Sequence, residues 1–131
     1  MTYRNNSIIG IYLKTAGLFG ALGIALGAFG AHGLEDLFSQ NGKKDLWEKA
    51  TQYQFYHVIS LILLSSLIFH NLISNRAGKW IAVLWLTGIL MFSGSLYGLA
   101  VGVNKSIGWV TPFGGLSFIA GWLIFFASIK K

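Results

Sequence analysis

Long apolar stretches alternate with short polar segments along the chain, and four of the apolar stretches are long enough to cross a bilayer. A transmembrane helix needs about 20 mostly apolar residues to cross roughly 30 Å of hydrocarbon. The stretches that meet this length cover residues 8–31, 50–72, 80–103 and 112–129. The pattern predicts an all-α, integral membrane four-helix bundle that forms one domain over residues 1–131.

The segments between the predicted spans carry signals for helix ends. Asp45 and Glu48 have the spacing of a capping box, so we expect the second helix to begin before it enters the hydrocarbon. Thr111 followed by Pro112 indicates an N-cap and the first position of the fourth helix. The connections are short, except for residues 32–44. Short connections make neighbouring spans antiparallel, and four spans place both termini on the same side.

Basic residues lie at the ends of the predicted spans, in unequal numbers on the two sides. Arg4, Lys14, Arg76, Lys79, Lys130 and Lys131 are on the side of the termini, and Lys43, Lys44, Lys49 and Lys105 are on the opposite side. Because cytoplasmic loops carry the excess of Lys and Arg, six against four predicts cytoplasmic termini in a bacterial inner membrane. The apolar stretch after Arg4 has features of a signal peptide, and we interpret it as a first span.

Composition excludes several classes of protein. The 131 residues are 54% hydrophobic and 11% charged, whereas soluble domains carry about 25% charged residues. The formal net charge of +6 does not indicate nucleic-acid binding, because the basic residues are scattered at the ends of apolar runs instead of forming a patch. The absence of cysteine from the sequence excludes disulfides, cysteine nucleophiles and thiolate metal sites.

Two series of glycines repeat at helical spacing. The first span carries Gly20, Gly23, Gly27 and Gly30, and the third carries Gly94, Gly98 and Gly102. Small residues let helix backbones approach closely in lipid, so these series predict helix-packing faces within the chain, with other membrane subunits or with a second copy. The alternative is a groove that holds the tail of a membrane lipid or a quinone.

Polar residues that could carry chemistry gather in the outer half of the predicted bundle. The candidate ligand-binding cluster is His32, Gln54, His57, Ser93, Ser95 and Tyr97. One interpretation is a buried hydrogen-bond network that fixes the helix register. A second is a site for the polar head of a lipid or quinone. A third is a metal or haem site with His32, Glu35 and His57 as weak candidate ligands, although no metal or other cofactor is predicted.

The sequence matches none of the catalytic motifs considered. The sequence contains neither a Ser-x-x-Lys nor a Gly-x-Ser-x-Gly motif, and the predicted spans contain no carboxylate to serve as a general base. The leading hypothesis is therefore a protein that binds a lipid or quinone, or an accessory or scaffold component of a membrane complex. The alternative hypothesis is a membrane enzyme or metal protein that uses His32 and His57.

Four ordered motifs carry a resemblance to a known family. They are Gly-Ala-Phe-Gly-Ala-His-Gly (27–33), Tyr-Gln-Phe-Tyr-His (53–57), Phe-Ser-Gly-Ser-Leu-Tyr (92–97) and Thr-Pro-Phe-Gly-Gly (111–115), and Gly121-Trp122 closes the series. In these motifs the chain resembles the YgdD/YwdK family of small bacterial membrane proteins, a family of unknown function similar to the eukaryotic transmembrane protein 256. The resemblance implies four spans and no established activity. It places the family's motif histidines on His32 and His57 and its serine motif on residues 93–97.

Overall fold

The computed structural model describes the backbone of residues 2–130 and the side chains of residues 7–130, and its regular structure there is entirely helical. The α-helices are α1 (Thr2–Ala28), α2 (Glu35–Asn41), α3 (Lys44–Phe69), α4 (Asn75–Gly88), α5 (Gly94–Ala100) and α6 (Val110–Ser128). A π-helical segment, Phe29–Gly33, extends α1, and a second, Ile89–Ser93, joins α4 to α5. A 3₁₀ turn, Lys105–Trp109, leads into α6.

Four continuous helical stretches are long and apolar enough to cross a membrane, which confirms the predicted all-α membrane architecture. They are the first span (Ser7–Gly33), the second (Lys44–Phe69), the third (Asn75–Ala100) and the fourth (Lys105–Ser128). The second and third helices begin at Lys44 and Asn75, between one and two turns before the apolar windows, because their first turns are polar and extend the helix beyond the apolar window.

Neighbouring spans are antiparallel. Gly20 of the first span lies opposite Val58, while Gly30, further along α1, lies opposite Trp47, nearer the start of α3. At the other end of the fold, the backbone N–H of Lys130 donates to the carbonyl of Leu72 across 3.0 Å. The C-terminal end is therefore on the side of the second-to-third connection. The N-terminal end is on the same side, because Ile9 packs in one cluster with Ile68 and Ile73.

The second and third spans form the centre of the fold. In their most apolar stretches 44% of the residues are buried, against 11% in the first span and 17% in the fourth. The largest fully buried side chains lie on these central spans and on their connection, and include Leu61, Leu64, Ile73, Ile81 and Trp85. The first span packs on the second and the fourth on the third, and the outer faces of both present apolar side chains to lipid.

The first glycine series faces the second span. A Cβ atom at Gly20 would lie 3.5 Å from Val58 and one at Gly27 3.6 Å from Thr51, which are ordinary contact distances. A Cβ at Gly23 would lie 2.9 Å from Phe55, and one at Gly30 would overlap the Trp47 indole. Absent side chains therefore let α3 approach the α1 backbone, as small residues do at helix interfaces in membranes.

The second glycine series differs from this arrangement. A Cβ at Gly94 would meet no atom within 4 Å, Gly98 faces Ile107 of the connecting turn, and Gly102 ends the helix with a φ of +86°. The close contacts between the third and fourth spans are made instead at Gly88 of the third span and at Gly114 and Gly121 of the fourth. A π-helical turn holds more residues than an α-helical turn, so the helix face after Ile89–Ser93 is rotated relative to the face before it.

Candidate functional site

Gln54 lies near the middle of the second span and is 3% exposed. Its Nε2 donates to the backbone carbonyl of Phe19 in the first span across 2.7 Å. Gly23 follows Phe19 by one helical turn, and a Cβ there would lie 3.1 Å from Nε2, so the glycine leaves this carbonyl accessible. Because hydrocarbon offers no hydrogen bonds, a buried amide at this depth requires partners within the protein. The Phe19 carbonyl supplies one of them.

Tyr97 links the third span to Gln54 and Thr51 of the second. Its hydroxyl lies 3.0 Å from Gln54 Oε1 and 3.0 Å from Thr51 Oγ1. The hydroxyl carries one proton, so it donates to only one of these oxygens at a time. These contacts join the first, second and third spans through one carboxamide. Gln54 retains one N–H donor and one acceptor lone pair beyond its bonds to Phe19 and Tyr97.

His57 lies one turn further along α3 and faces the fourth span. Its Nδ1 is 2.8 Å from the Tyr53 carbonyl, which can only accept, so Nδ1 carries the proton. The indole N–H of Trp122 donates to Nε2 across 3.2 Å, so Nε2 carries none and the ring is neutral. The imidazole stacks on Phe118 with centroids 3.6 Å apart. Both nitrogens are used within the protein, which leaves neither free to bind a metal.

Ser93 and Ser95 are both buried in the third span. Ser95 Oγ lies 2.7 Å from Thr111 Oγ1 and 3.0 Å from the Phe92 carbonyl, to which it donates. Thr111 is therefore not the N-cap that the sequence suggests, because α6 begins at Val110 and the threonine hydroxyl bonds across to the third span. Ser93 Oγ is fully buried and has no hydrogen-bond partner among the described residues.

His32 lies apart from these residues. It is exposed in the π-helical segment at the end of the first span, and Glu35 is exposed in the first turn of α2. Among the residues that the structure describes, no group of three or more histidine, aspartate and glutamate side chains is placed to hold a metal ion. His32, Glu35 and His57 therefore do not converge.

The six predicted residues divide among separate environments instead of forming one cluster. Gln54 and Tyr97 are bonded to each other, whereas His57 and Ser95 bond to the fourth span. Consecutive residues of a helix point about 100° apart. Ser95 and Tyr97, two positions apart, therefore point about 200° from each other and reach different neighbours.

A groove lies beside the Gln54–Tyr97 pair, between the first and third spans. It has a volume of about 150 Å³ and is lined by Phe19, Leu22, Leu26, Gln54, Ile89, Leu90, Gly94 and Tyr97. Leu22 and Leu90 are exposed, so the groove faces the lipid, and Gly94 adds no side chain to it. Gln54 and Tyr97 are the two polar side chains in this lining, and the surface that faces the groove is almost entirely apolar.

Two partners of these residues were absent from the predicted cluster, Thr51 and Trp122. Thr51 precedes Gln54 by three positions, so helical spacing places both on one face. This spacing could have identified Thr51 as a member of the cluster. Trp122 stands in the closing motif of the family resemblance, but no spacing within α6 indicates that its indole reaches His57. Its role depends on how the fourth span packs.

Comparisons with known proteins agree with the membrane architecture. A family model described as Protein of unknown function (DUF423) matches residues 26–115. A UPF0382 membrane protein of Staphylococcus epidermidis is 39% identical, over 92% of this chain and 96% of its own length. One from Haemophilus influenzae is 38% identical, over 86% and 87%. The UPF0382 membrane protein YwdK of Bacillus subtilis is 32% identical, over 92% and 97%. No solved structure matches the chain.

Proposed function

The chain belongs to the DUF423 family, whose curated relatives are bacterial membrane proteins, and we propose that it binds a membrane quinone in the groove between its first and third spans. One observation carries the proposal. A lipid-facing groove with apolar walls has a polar pair on its lining, Gln54 in the second span and Tyr97 three residues before the end of the third.

Depth favours a quinone over a phospholipid headgroup. Phe19 lies close to the midpoint of the first span, and the Gln54 carboxamide bonds to its carbonyl, so the carboxamide lies at the level of the hydrocarbon. A charged phospholipid headgroup remains at the interface, because ionised groups are costly at this depth. A quinone ring is neutral and enters the hydrocarbon, and its carbonyl oxygens need only hydrogen-bond donors. The N–H that Gln54 retains can supply one.

Size points to the same class of ligand. A cavity of about 150 Å³ is large enough to hold one benzene-sized ring. The groove has this volume, and the missing side chain at Gly94 leaves a path for an isoprenoid tail to pass into the lipid. Apolar walls with one or two placed polar groups are the usual construction of a small-molecule site.

For the membrane and orientation, we propose the cell membrane of a bacterium, the inner membrane where there are two, with both termini in the cytoplasm. The basic residues on the side of the termini support this, since Arg76 and Lys79 lie at the start of the third span and Lys130 at the C-terminal end. The side chain of Arg4 and all of Lys131 lie outside the described residues.

The proposal is tested by native mass spectrometry of the full chain, released from its own membrane in a mild detergent. Gly94→Leu fills the groove, and Gly17→Leu is the matched control, because a Cβ at Gly17 also meets no atom within 4 Å but Gly17 does not line the groove. We expect wild type and Gly17→Leu to carry an isoprenoid quinone at stoichiometric level, and Gly94→Leu to lose it while its melting temperature stays close to that of Gly17→Leu.

Three outcomes would overturn the proposal. One is a wild-type protein that carries no quinone and takes up none when a short-chain benzoquinone is added. Another is equal quinone occupancy in both leucine variants. The third is a stoichiometric partner protein in place of a small molecule, which would support an accessory component of a membrane complex instead.

A further inference from the structure

A larger cavity lies at the outer end of the fold, on the opposite side of the membrane from the termini. It has a volume of about 440 Å³ and lies between the end of the first span, α2 and the first turns of α3. A second cavity of about 210 Å³ adjoins it and shares Gly30, Ala31, Phe38 and Lys44. The first reaches Glu48, Thr51 and Gln52, and the second reaches Glu35 and Ser39.

Contacts with the third span hold α2 in place beside this cavity. The Asn41 side-chain amide donates to the Ala100 carbonyl across 3.0 Å, and Lys43 Nζ donates to the Leu99 carbonyl across 3.1 Å. Phe38 is buried against Trp47, with ring centroids 5.9 Å apart. These contacts hold α2 at Phe38 and at its C-terminal end, and Glu35, Phe38 and Ser39 of this helix line the two cavities.

The lining changes from apolar to charged in the way that a lipid headgroup requires. Trp47 and Phe38 supply aromatic surface, and aromatic rings of this kind concentrate at the level of the membrane interface. Lys44, Glu48 and Glu35 supply charge towards the aqueous side. A ligand that fills the cavity therefore needs both a charged head and an apolar part.

The charges favour a head that bears both signs. Lys44 Nζ lies 3.7 Å from Glu48 Oε1, and both side chains are 61% exposed. An exposed ion pair of this kind is weak, so each of its two groups can leave the other and pair with a ligand instead. An ammonium on Lys44 can pair with a phosphate, and the carboxylates of Glu48 and Glu35 can accept hydrogen bonds from a primary ammonium.

We propose that this outer cavity binds the headgroup of an aminophospholipid of the phosphatidylethanolamine type, with Lys44 on the phosphate and Glu48 and Glu35 on the ammonium. Phosphatidylcholine fits less well, because its quaternary ammonium has no N–H to donate. Phosphatidylglycerol fits less well, because it offers the two carboxylates no cation. This site goes beyond the proposed quinone binding and has a different lining from the groove, although Thr51 of the cavity lies 3.0 Å from the hydroxyl of Tyr97 in the groove.

Two charge-neutral double variants test the proposal. Lys44→Gln with Glu48→Gln removes the pair that lines the cavity, and Asp45→Asn with Lys49→Gln removes the neighbouring charges, which do not line it. Neither double variant changes the net charge of the protein. Each protein is incubated in detergent with equal phosphatidylethanolamine, phosphatidylcholine and phosphatidylglycerol of matched chains, and bound lipid is counted by native mass spectrometry.

We expect wild type and the control to prefer phosphatidylethanolamine, and the Lys44/Glu48 variant to lose at least about tenfold in affinity, because it removes two charge-assisted hydrogen bonds. Equal binding of the three lipids by wild type, or unchanged preference in the Lys44/Glu48 variant, would overturn the proposal. Strong binding of phosphatidylglycerol would show that phosphate alone is recognised and would overturn the role of the ammonium.

The quinone proposal and the aminophospholipid proposal can be tested separately. Gly94→Leu should keep phosphatidylethanolamine in the outer cavity, because Gly94 does not line it. The Lys44/Glu48 variant should keep the quinone, because neither residue lines the groove.

Discussion

Trp122 donates its indole N–H to Nε2 of His57 across 3.2 Å, and this hydrogen bond joins the fourth span to the second within the membrane. The opposite nitrogen of the ring already serves the Tyr53 carbonyl, and Phe118 covers one face of the imidazole. The histidine is therefore satisfied entirely by the protein. This environment is that of a structural residue, which places the candidate ligand chemistry with Gln54 and Tyr97.

Trp122→Phe tests this bond. We expect the free energy of unfolding to fall by about 1 kcal/mol, because His57 Nε2 loses its donor while an aromatic ring is kept. The measurement is denaturation of the protein in mixed micelles, followed by circular dichroism. Trp109→Phe is the matched control, since Trp109 is 79% exposed, and it should leave stability unchanged. Equal free energies of unfolding for wild type and Trp122→Phe would show that the bond does not stabilise the fold.

Gly114 and Gly115 are neighbours in the fourth span that should respond in opposite ways to alanine. A Cβ at Gly114 would overlap the Phe92 backbone in the π-helical segment, so Gly114→Ala should destabilise the fold by about 1–3 kcal/mol through overpacking. At Gly115 the nearest atom would lie 3.8 Å away, and alanine should be neutral or stabilise by up to about 1 kcal/mol through helix propensity. Thermal denaturation in detergent distinguishes them, and similar melting temperatures would contradict the packing.

The hydroxyl of Tyr97 should be coupled to the carboxamide of Gln54. We expect Tyr97→Phe and Gln54→Leu each to lower stability by about 1 kcal/mol, and the double variant to lose less than the sum, because both remove the same bond. Tyr56→Phe is the control, since Tyr56 is 51% exposed. Strict additivity in denaturation experiments would show that the two side chains are not energetically linked.

Topology can be tested without any ligand. A reporter that is active only in the cytoplasm, fused after Lys131, should be active, and the same reporter inserted after Gly42 in the loop before α3 should be silent. The basis is the excess of basic residues on the side of the termini. The opposite pattern would reverse the proposed orientation while leaving the fold unchanged.

The number of spans and their approximate limits followed from the sequence, because the bilayer imposes a local rule. Every backbone group in hydrocarbon must be bonded within its own helix, and the helix must be about 20 apolar residues long. The glycine spacing of the first span likewise identified one helix face, which the structure places against the second span. Both are properties of one helix at a time.

The tertiary structure decided which polar side chains meet. Their expected depth in the bundle grouped His57, Ser95 and Tyr97 together, but the partner of each depends on the rotation of its helix about its own axis. The π-helical segment Ile89–Ser93 changes that rotation in the middle of the third span. Ser95 and Tyr97 both follow this segment and diverge by helix geometry alone. Trp122, in contrast, reaches His57 from a helix 65 residues away in sequence. No local pattern encodes such a contact, because it depends on the packing of all four spans.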